Sequence, residues 1–266
     1  MNDRLDAGVA HPARRYNYWL GGKDNFAADR ESGDLLAASY PAARIAARAN
    51  RAFLRRAVRY LAGTAGIRQF LDIGTGLPTA DNTHEVAQRI APESRIVYVD
   101  NDPMVMTHAR ALLSSTPEGH TRYLEEDLRN PHRILGHPDL AEVLDLDRPV
   151  ALMLIAIVHF LPDQAAAREV VRTLMAALPA GSHLVISCAT TEFLTPELAA
   201  NWDESLRSGR SDVHPRSREQ FTEFFAGLDL VPPGAVAISR WRPDPDDPEQ
   251  PLPVDASMFG AVGRKP

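Results

Sequence analysis

Residues 42 to 62 read AARIAARANRAFLRRAVRYLA, with Ile45, Ala49, Phe53, Val58 and Leu61 near helical spacing. Arg44, Arg48, Arg51, Arg55 and Arg59 form a second stripe. The spacing predicts an amphipathic helix whose arginines are its solvated face, with a phosphate-binding face as the sharper alternative. Beyond Gly63 and Gly66 the period changes. RQFLDIG, RIVYVD, TRYLEED, PVALMLIAIV and SHLVISC are short β-rich runs, and THEVAQRIA, PMVMTHARALL and DQAAAREVVRTLMAAL between them are helical. Strands alternating with helices imply right-handed βαβ crossovers and a mostly parallel sheet. VALMLIAIV does not alternate, as expected of a central strand buried on both faces.

After Cys188 the pattern turns polar, with a helix predicted from Pro196 and a capping box of Ser217 and Gln220 opening REQFTEFFAGL. GAVAISRW reads as a strand, the Pro-rich loop RPDPDDPEQPLP cannot pair in a sheet, and MFGAVG reads as an antiparallel edge strand. The expected organisation is one compact α/β domain: an N-terminal helical cap over residues 1–66 and a Rossmann-like core over 67–266.

Composition narrows the partners. The chain has 266 residues, 44% of them hydrophobic, and a net charge of −6, which opposes bulk attraction to nucleic acid or anionic membrane. The longest apolar run, Val150 to Val158, is less than half the ~20 residues of a membrane helix. MNDRLDAGVAHP lacks the apolar core of a signal peptide, so a cytoplasmic location is expected. The single cysteine, Cys188, lies in the apolar run HLVISC and reads as a buried inert thiol. His132 and His137 have no third metal ligand nearby, and no metal is expected.

The most informative junction is LDIGTGLPT, Leu71 to Thr79. Glycines after a strand allow a tight turn and let a ligand approach backbone amides, and the crevice at such strand ends is the usual ligand site of an open α/β sheet. A dinucleotide fingerprint would place a third small residue where Thr79 stands, with an acid after the second strand. An S-adenosyl-L-methionine site asks for an acid two residues before the first glycine, a second acid after the second strand and a polar contact after the third. Asp72, Asp100 and Asp127 fill those places in order. Asp100 suits the ribose hydroxyls, Asp72 the methionyl ammonium and Asp127 the adenine amino group, with Leu128 beside the ring. Asp102 before Pro103 reads as a helix cap.

The stretches ARRYNYWLGGKDNFAADR, NRAFLRRAVRYLA, QFLDIGTGLPT, THEVAQ, VYVDNDP, DLRNP, DRPVALMLIAIVHFLPD and SRWRP together resemble a bacterial family of S-adenosylmethionine-dependent methyltransferases formerly catalogued as a domain of unknown function. The resemblance runs nearly end to end. It implies a class I methyltransferase fold, with a seven-stranded sheet whose last strand is antiparallel. It implies neither the acceptor nor a catalytic residue. Pro78 stands where the wider superfamily often has a third glycine.

The residues expected at the cofactor are Asp72, Gly74, Thr75, Gly76, Thr79, Asp100, Asn101, Asp127, Leu128 and Ile155, joined by Arg14 and Tyr16 from the N-terminal segment. His159, at the end of the fourth strand, resembles a histidine found there in many small-molecule methyltransferases; it reads as base, acceptor-orienting group or pocket lining. His84 has weaker standing, with a helix-surface position as its plain reading. In the N-terminal segment Pro12 starts a helix, Gly21 and Gly22 end it, and Asp24 caps the next. This segment is expected to act as a lid that excludes water, with Tyr18, Lys23 and Asn25 at the acceptor and Lys23 or Arg14 near the methionyl carboxylate. The expected activity is methyl transfer to a small-molecule acceptor, leaving S-adenosyl-L-homocysteine. A non-catalytic sensor or partner protein is the alternative, nucleic-acid methylation is disfavoured, no membrane partner is expected, and a homodimer is allowed.

Overall fold

The computed structural model describes residues 6–105, 107, 115–245 and 250–266. Five strands, β1 (Gln69–Ile73), β2 (Arg95–Asp100), β3 (His120–Glu125), β4 (Ala151–Ile155) and β5 (His183–Ala189), pair in parallel. The short strands β6 (Asp229–Leu230) and β7 (Val236–Ala237) and the longer β8 (Met258–Arg264) complete the sheet. The order is β3-β2-β1-β4-β5-β8-β6, with β7 pairing β8 off this path. β8 runs antiparallel to β5, as MFGAVG suggested, but β6 and β7 cover its other side, so it is not an edge. GAVAISRW pairs only at β7; a 3-10 turn, Ile238–Arg240, takes over at once. That turn presents the Ile238 carbonyl to Arg56, which also donates to the Trp241 carbonyl at 2.9 Å.

Every residue of β1, β4 and β5 is buried, as crossover connections that put helices on both faces require. The helices are α1 (Pro12–Trp19), α2 (Ala27–Ser39), α3 (Ala43–Arg59), α4 (Thr83–Ile90), α5 (Pro131–Leu135), α6 (Pro138–Val143), α7 (Gln164–Ala176), α8 (Pro196–Arg207), α9 (Arg218–Thr222) and α10 (Pro253–Ala256). The predicted helix PMVMTHARALL falls largely outside the described residues, as does part of the Pro-rich loop. Helix starts follow local chemistry: Thr195 accepts from the Leu198 amide, and Ser217 and Gln220 form the expected reciprocal box.

α3 packs Phe53, Ala57 and Val58 into the same cluster as Phe70 and Met153 of the sheet, so this helix belongs to the core. The cover over the strand ends is formed by α1 and α2 with the segment from α8 to Val213. Ile45 is not part of the buried stripe; it is 36% exposed, and Ala46 and Asn50 face inward instead. The arginine stripe is largely engaged with the protein itself. Arg55 meets Asp81 at 3.4 Å, Arg59 meets Asp244 at 3.0 Å, and Arg51 donates to the carbonyls of Ala80 and Asp81.

α1 begins at Pro12 and is closed by Gly21 in the left-handed region, φ 82°. The next cap is not Asp24. Phe26 occupies the N-cap position, and Asp29 reaches back to accept its amide at 2.8 Å. Asp29 also accepts from the His11 amide, which ties the start of α1 to α2. The buried Asn17 organises the turn between them, accepting from the Asp24 amide and from Asn25.

Candidate active site

β1 ends at Ile73, and Gly74 and Gly76 turn the chain away with φ of 76° and 68°. At Gly74 a side chain is doubly excluded, because a Cβ would lie 2.7 Å from Ile157. The turn opens a cavity of about 460 Å³ at the strand ends. Asp72, Gly74, Thr75, Gly76, Asp100, Asn101, Asp127, Leu128, Ile155, Tyr16 and His159 all line it.

Thr79 and Arg14 do not. Thr79 is held in the loop by Asn82, whose side chain accepts its amide at 3.2 Å. Arg14, on α1, is buried away from the cavity, 3.3 Å from Asp102 and 3.5 Å from Asp29. Tyr18, Lys23 and Asn25 also point elsewhere. The Tyr18 hydroxyl donates to Asp34, Asn25 is occupied by Asn17 and the Gly22 carbonyl, and Lys23 is exposed. One side of a helix and its turn can face the crevice, and here that side carries Arg15, Tyr16 and Trp19.

The acids differ in how they are held. Asp100 is buried, and its two oxygens accept the amides of Gly76 (2.8 Å) and Asp102 (3.0 Å). Burial raises its pKa against those two bonds. Each oxygen keeps a lone pair for a further donor, as a diol requires. Asp72 accepts from Thr83 at 2.6 Å, and burial pushes its carboxyl up to about 6 despite that bond and the nearby Arg51. Asp127 is more open. Burial works to raise it, but the Arg129 side chain and amide and the Asn101 side chain prevail and bring it down to about 2. Its oxygens are occupied by those groups, so an adenine amino group would have to displace the 69%-exposed Arg129.

Asp102 does cap the turn that follows, accepting the Met104 amide at 2.9 Å. Burial raises it, yet His11 and Arg14 hold it below the usual carboxylate range. The N-terminal cover is thus fastened to the β2 loop beside Asp100. A second link runs through buried hydroxyls and amides. Ser187 donates to Asn50 at 2.6 Å, Asn50 donates to the Tyr16 hydroxyl at 3.0 Å, and Tyr16 donates to the Ala47 carbonyl. The Ser187 hydroxyl also accepts the amide of Ala156, which sits at φ 54° just past β4.

His159 is buried, and its Nδ1 accepts the Ala189 amide at 3.3 Å. Burial drives its pKa down to about 3, outweighing Asp212. The imidazole is therefore neutral, and with Nδ1 accepting an amide its proton sits on Nε2, which presents a donor. His84 is not on a helix surface. It is buried against Tyr98, whose hydroxyl lies 2.8 Å from Nδ1, and it does not line the cavity. Cys188 is buried, and its thiol is pushed up to about 12. Among the described residues no cluster of His, Cys, Asp and Glu is arranged to hold a metal, and no helix is long and apolar enough to cross a membrane.

The cavity also holds residues that were not expected at the site. Arg51 lies close enough to Asp72 to lower its pKa, which makes it the cation best placed for a carboxylate at that end. Trp19, Tyr40, Phe160, Trp202 and Val213 form an apolar wall beyond the crevice. The only signal for Trp202 was a large aromatic in a polar stretch.

A family model for S-adenosyl methyltransferases matches residues 1–266. The chain belongs to that family. The methyltransferase is 49% identical to a DUF574 family protein from Streptomyces avermitilis MA-4680, over 99% of this chain and 100% of that one, with a TM-score of 0.91. It is 40% identical to a putative methyltransferase from Thermobifida fusca YX, over 98% and 96% of the two chains, with a TM-score of 0.87. An O-methyltransferase family protein from Burkholderia thailandensis shares the fold at 18% identity and a TM-score of 0.52, covering 84% of this chain and 60% of that one. No curated protein matches the chain.

The methyltransferase thus takes S-adenosylmethionine as its cofactor, and the donor set fits that ligand. Carboxylates on three successive strand ends face one cavity, and the ligand's ammonium, ribose diol and adenine amino group are all donors. With Asp72 proposed as the partner of the ligand's ammonium, its raised carboxyl predicts a pH-dependent cofactor affinity. Below about pH 6 the carboxyl is protonated, and binding an ammonium there must expel the proton. The dissociation constant of S-adenosylhomocysteine should rise as pH falls below about 6, by up to about tenfold per unit, and stay flat from there to neutrality. Calorimetry across that range checks this, and in Asp72→Asn the dependence should vanish.

Proposed function

We propose that the methyltransferase modifies a small-molecule acceptor held beneath the N-terminal helices. The observation that carries this reading is the continuity of the cavity. The Asp72–Asp100 crevice opens directly onto the wall of Trp19, Tyr40 and Trp202, and α1 covers both. Pockets of this kind suit ligands of drug size. The engaged arginines of α3 and the net charge of −6 count against a nucleic-acid surface.

S-adenosylmethionine supplies an activated methyl group, so the protein's work is alignment and exclusion of water. Asp100 and Asp72 orient the donor from one side. Tyr16, fixed by Asn50 and the Ala47 carbonyl, closes the crevice from above. His159 offers an Nε2–H to the acceptor and takes no proton. Its neutrality is checkable: nitrogen NMR should find one Nε2–H tautomer between about pH 5 and 8. A titration near the ordinary value of about 6.5 would restore the base role.

The experiment for the function is release of S-adenosylhomocysteine on incubation with S-adenosylmethionine and a cellular extract split by size. Turnover is expected with the small-molecule fraction; turnover with macromolecules alone would overturn the proposal. The lid has its own test. Removing residues 1–30 takes away Tyr16, Trp19 and the ties to Asp102, and should abolish turnover while leaving the far-ultraviolet signature of the sheet. A truncated protein that turns over normally would reduce those helices to packing.

A further inference from the structure

The acceptor end of the cavity carries chemistry that cofactor binding does not use. Its walls are flat and apolar: Tyr40 and Trp202 lie 5.3 Å apart, centroid to centroid, with Trp19 and Phe160 in the same cluster. Aromatic rings stack well against a planar body. A purely apolar ligand would leave the polar groups here unanswered.

Two of those groups lack partners. Arg15 Nε and Ser205 Oγ are buried without a hydrogen bond, and both residues line the cavity, Arg15 being 5% exposed and Ser205 0%. A buried donor left unmade is costly, and native proteins keep few of them. Both are donors, so an acceptor oxygen satisfies both. The charge balance points the same way. Arg15 pairs with Asp212 at 2.5 Å. Arg216, buried close by, donates to the carbonyls of His214 and Leu161, and among the described residues no carboxylate pairs with it. Both guanidinium groups act on His159, where among the described residues Asp212 is the one acid that opposes them. Two cations against one carboxylate leave a positive surplus, which an anionic ligand neutralises and a cationic one aggravates.

We propose that the methyl acceptor is a planar aromatic carboxylate, its ring between Trp19 and Trp202 and its carboxylate accepting from Arg15 Nε and Ser205 Oγ. This rests on the small-molecule reading above and sharpens it to a substrate class. The pairing of Arg15 with Asp212 makes the anion site adjustable, because Asp212 is 45% exposed and can turn to water when a ligand carboxylate arrives.

The test is calorimetry on the full chain saturated with S-adenosylhomocysteine, titrated with 2-naphthoate, 2-naphthamide and 2-naphthylmethylammonium. These probes share a ring system and differ in charge. The carboxylate should bind at least tenfold more tightly than the amide, and the ammonium should bind weakest. Ser205→Ala, which removes an unpartnered hydroxyl, should lower naphthoate affinity severalfold and leave naphthamide unchanged. Arg15→Gln should erase the preference for the anion. Equal binding of carboxylate and amide by the unaltered protein, or tighter binding of the ammonium, overturns the proposal without recourse to a variant. Anion-exchange separation of the turnover-supporting extract distinguishes the two levels. Activity in the unretained small-molecule fraction sinks the anionic acceptor alone. Activity confined to macromolecules sinks the small-molecule reading with it.

Discussion

Replacing Asp100 by alanine should weaken S-adenosylhomocysteine binding by about a hundredfold or more, read by calorimetry. Two ribose hydroxyls donating to a buried carboxylate make charge-assisted bonds of about 1.5–3 kcal/mol each, and each 1.4 kcal/mol is about tenfold in affinity. The same carboxylate anchors the Gly76 and Asp102 amides, so part of the loss would reflect a slackened loop. Asp100→Asn separates these effects, since an amide oxygen can still hold one amide and accept one hydroxyl. Asp127→Ala should cost much less, because its carboxylate is already committed to the exposed Arg129. An unchanged dissociation constant in Asp100→Ala would remove the ribose role. Equal losses at the two positions would remove the ranking.

The second large effect is expected at Gly74. An alanine there adopts a left-handed conformation costing roughly 1–2 kcal/mol, and its Cβ meets Ile157 Cδ1 and Cγ1 at 2.7 Å and Ile157 Cβ at 2.9 Å. Crowding of this kind costs about 1–3 kcal/mol more. The Ile157 Cβ is tied to its own backbone just past β4, so relief must move the strand end that carries Ala156 and His159. Gly74→Ala should therefore lower the melting temperature by several degrees and impair cofactor binding. Gly76→Ala gives an internal comparison: φ is 68°, but nothing lies within 4 Å of the added Cβ. In melting temperature it should lose only the conformational term. Adding Ile157→Ala to Gly74→Ala should recover the crowding share; a variant that melts and binds like the parent would refute the packing argument.

Much of this protein was legible along the chain. The order of β1 to β5, the parallel crossovers, and the acids at the ends of β1 and β2 and just beyond β3 follow from runs of residues within a few positions of one another. The start of α8 and the cap of α9 were readable for the same reason, because a cap and the amides it serves lie within three residues. The short β6 and the early end of β7 were not. Two-residue strands carry no period, and the Ile238 carbonyl is drawn out of the ladder by Arg56, 182 residues away.

Within the N-terminal segment, composition singled out eighteen residues without deciding which of them face the cavity. Tyr16 and Tyr18 are two positions apart on one helix, so they diverge by about 200° around its axis. Their chemistry is the same; only the docking of α1 against α2 and α3 sends Tyr16 to the crevice and Tyr18 to Asp34. Arg51 stood in a stripe that looked uniformly solvated until the Gly74–Asp81 loop folded beside it. Arg15 and Asp212 are 197 residues apart, and no periodicity connects them.

The sequence by itself therefore determined the five parallel strands, the glycine turn and the acids that line the cavity, since backbone conformation and capping are settled by neighbours in the chain. The tertiary structure alone decided the apolar wall beyond the crevice, the pairing of Arg15 with Asp212 and the burial of His159. Burial and charge balance are sums over groups that meet only when distant helices pack.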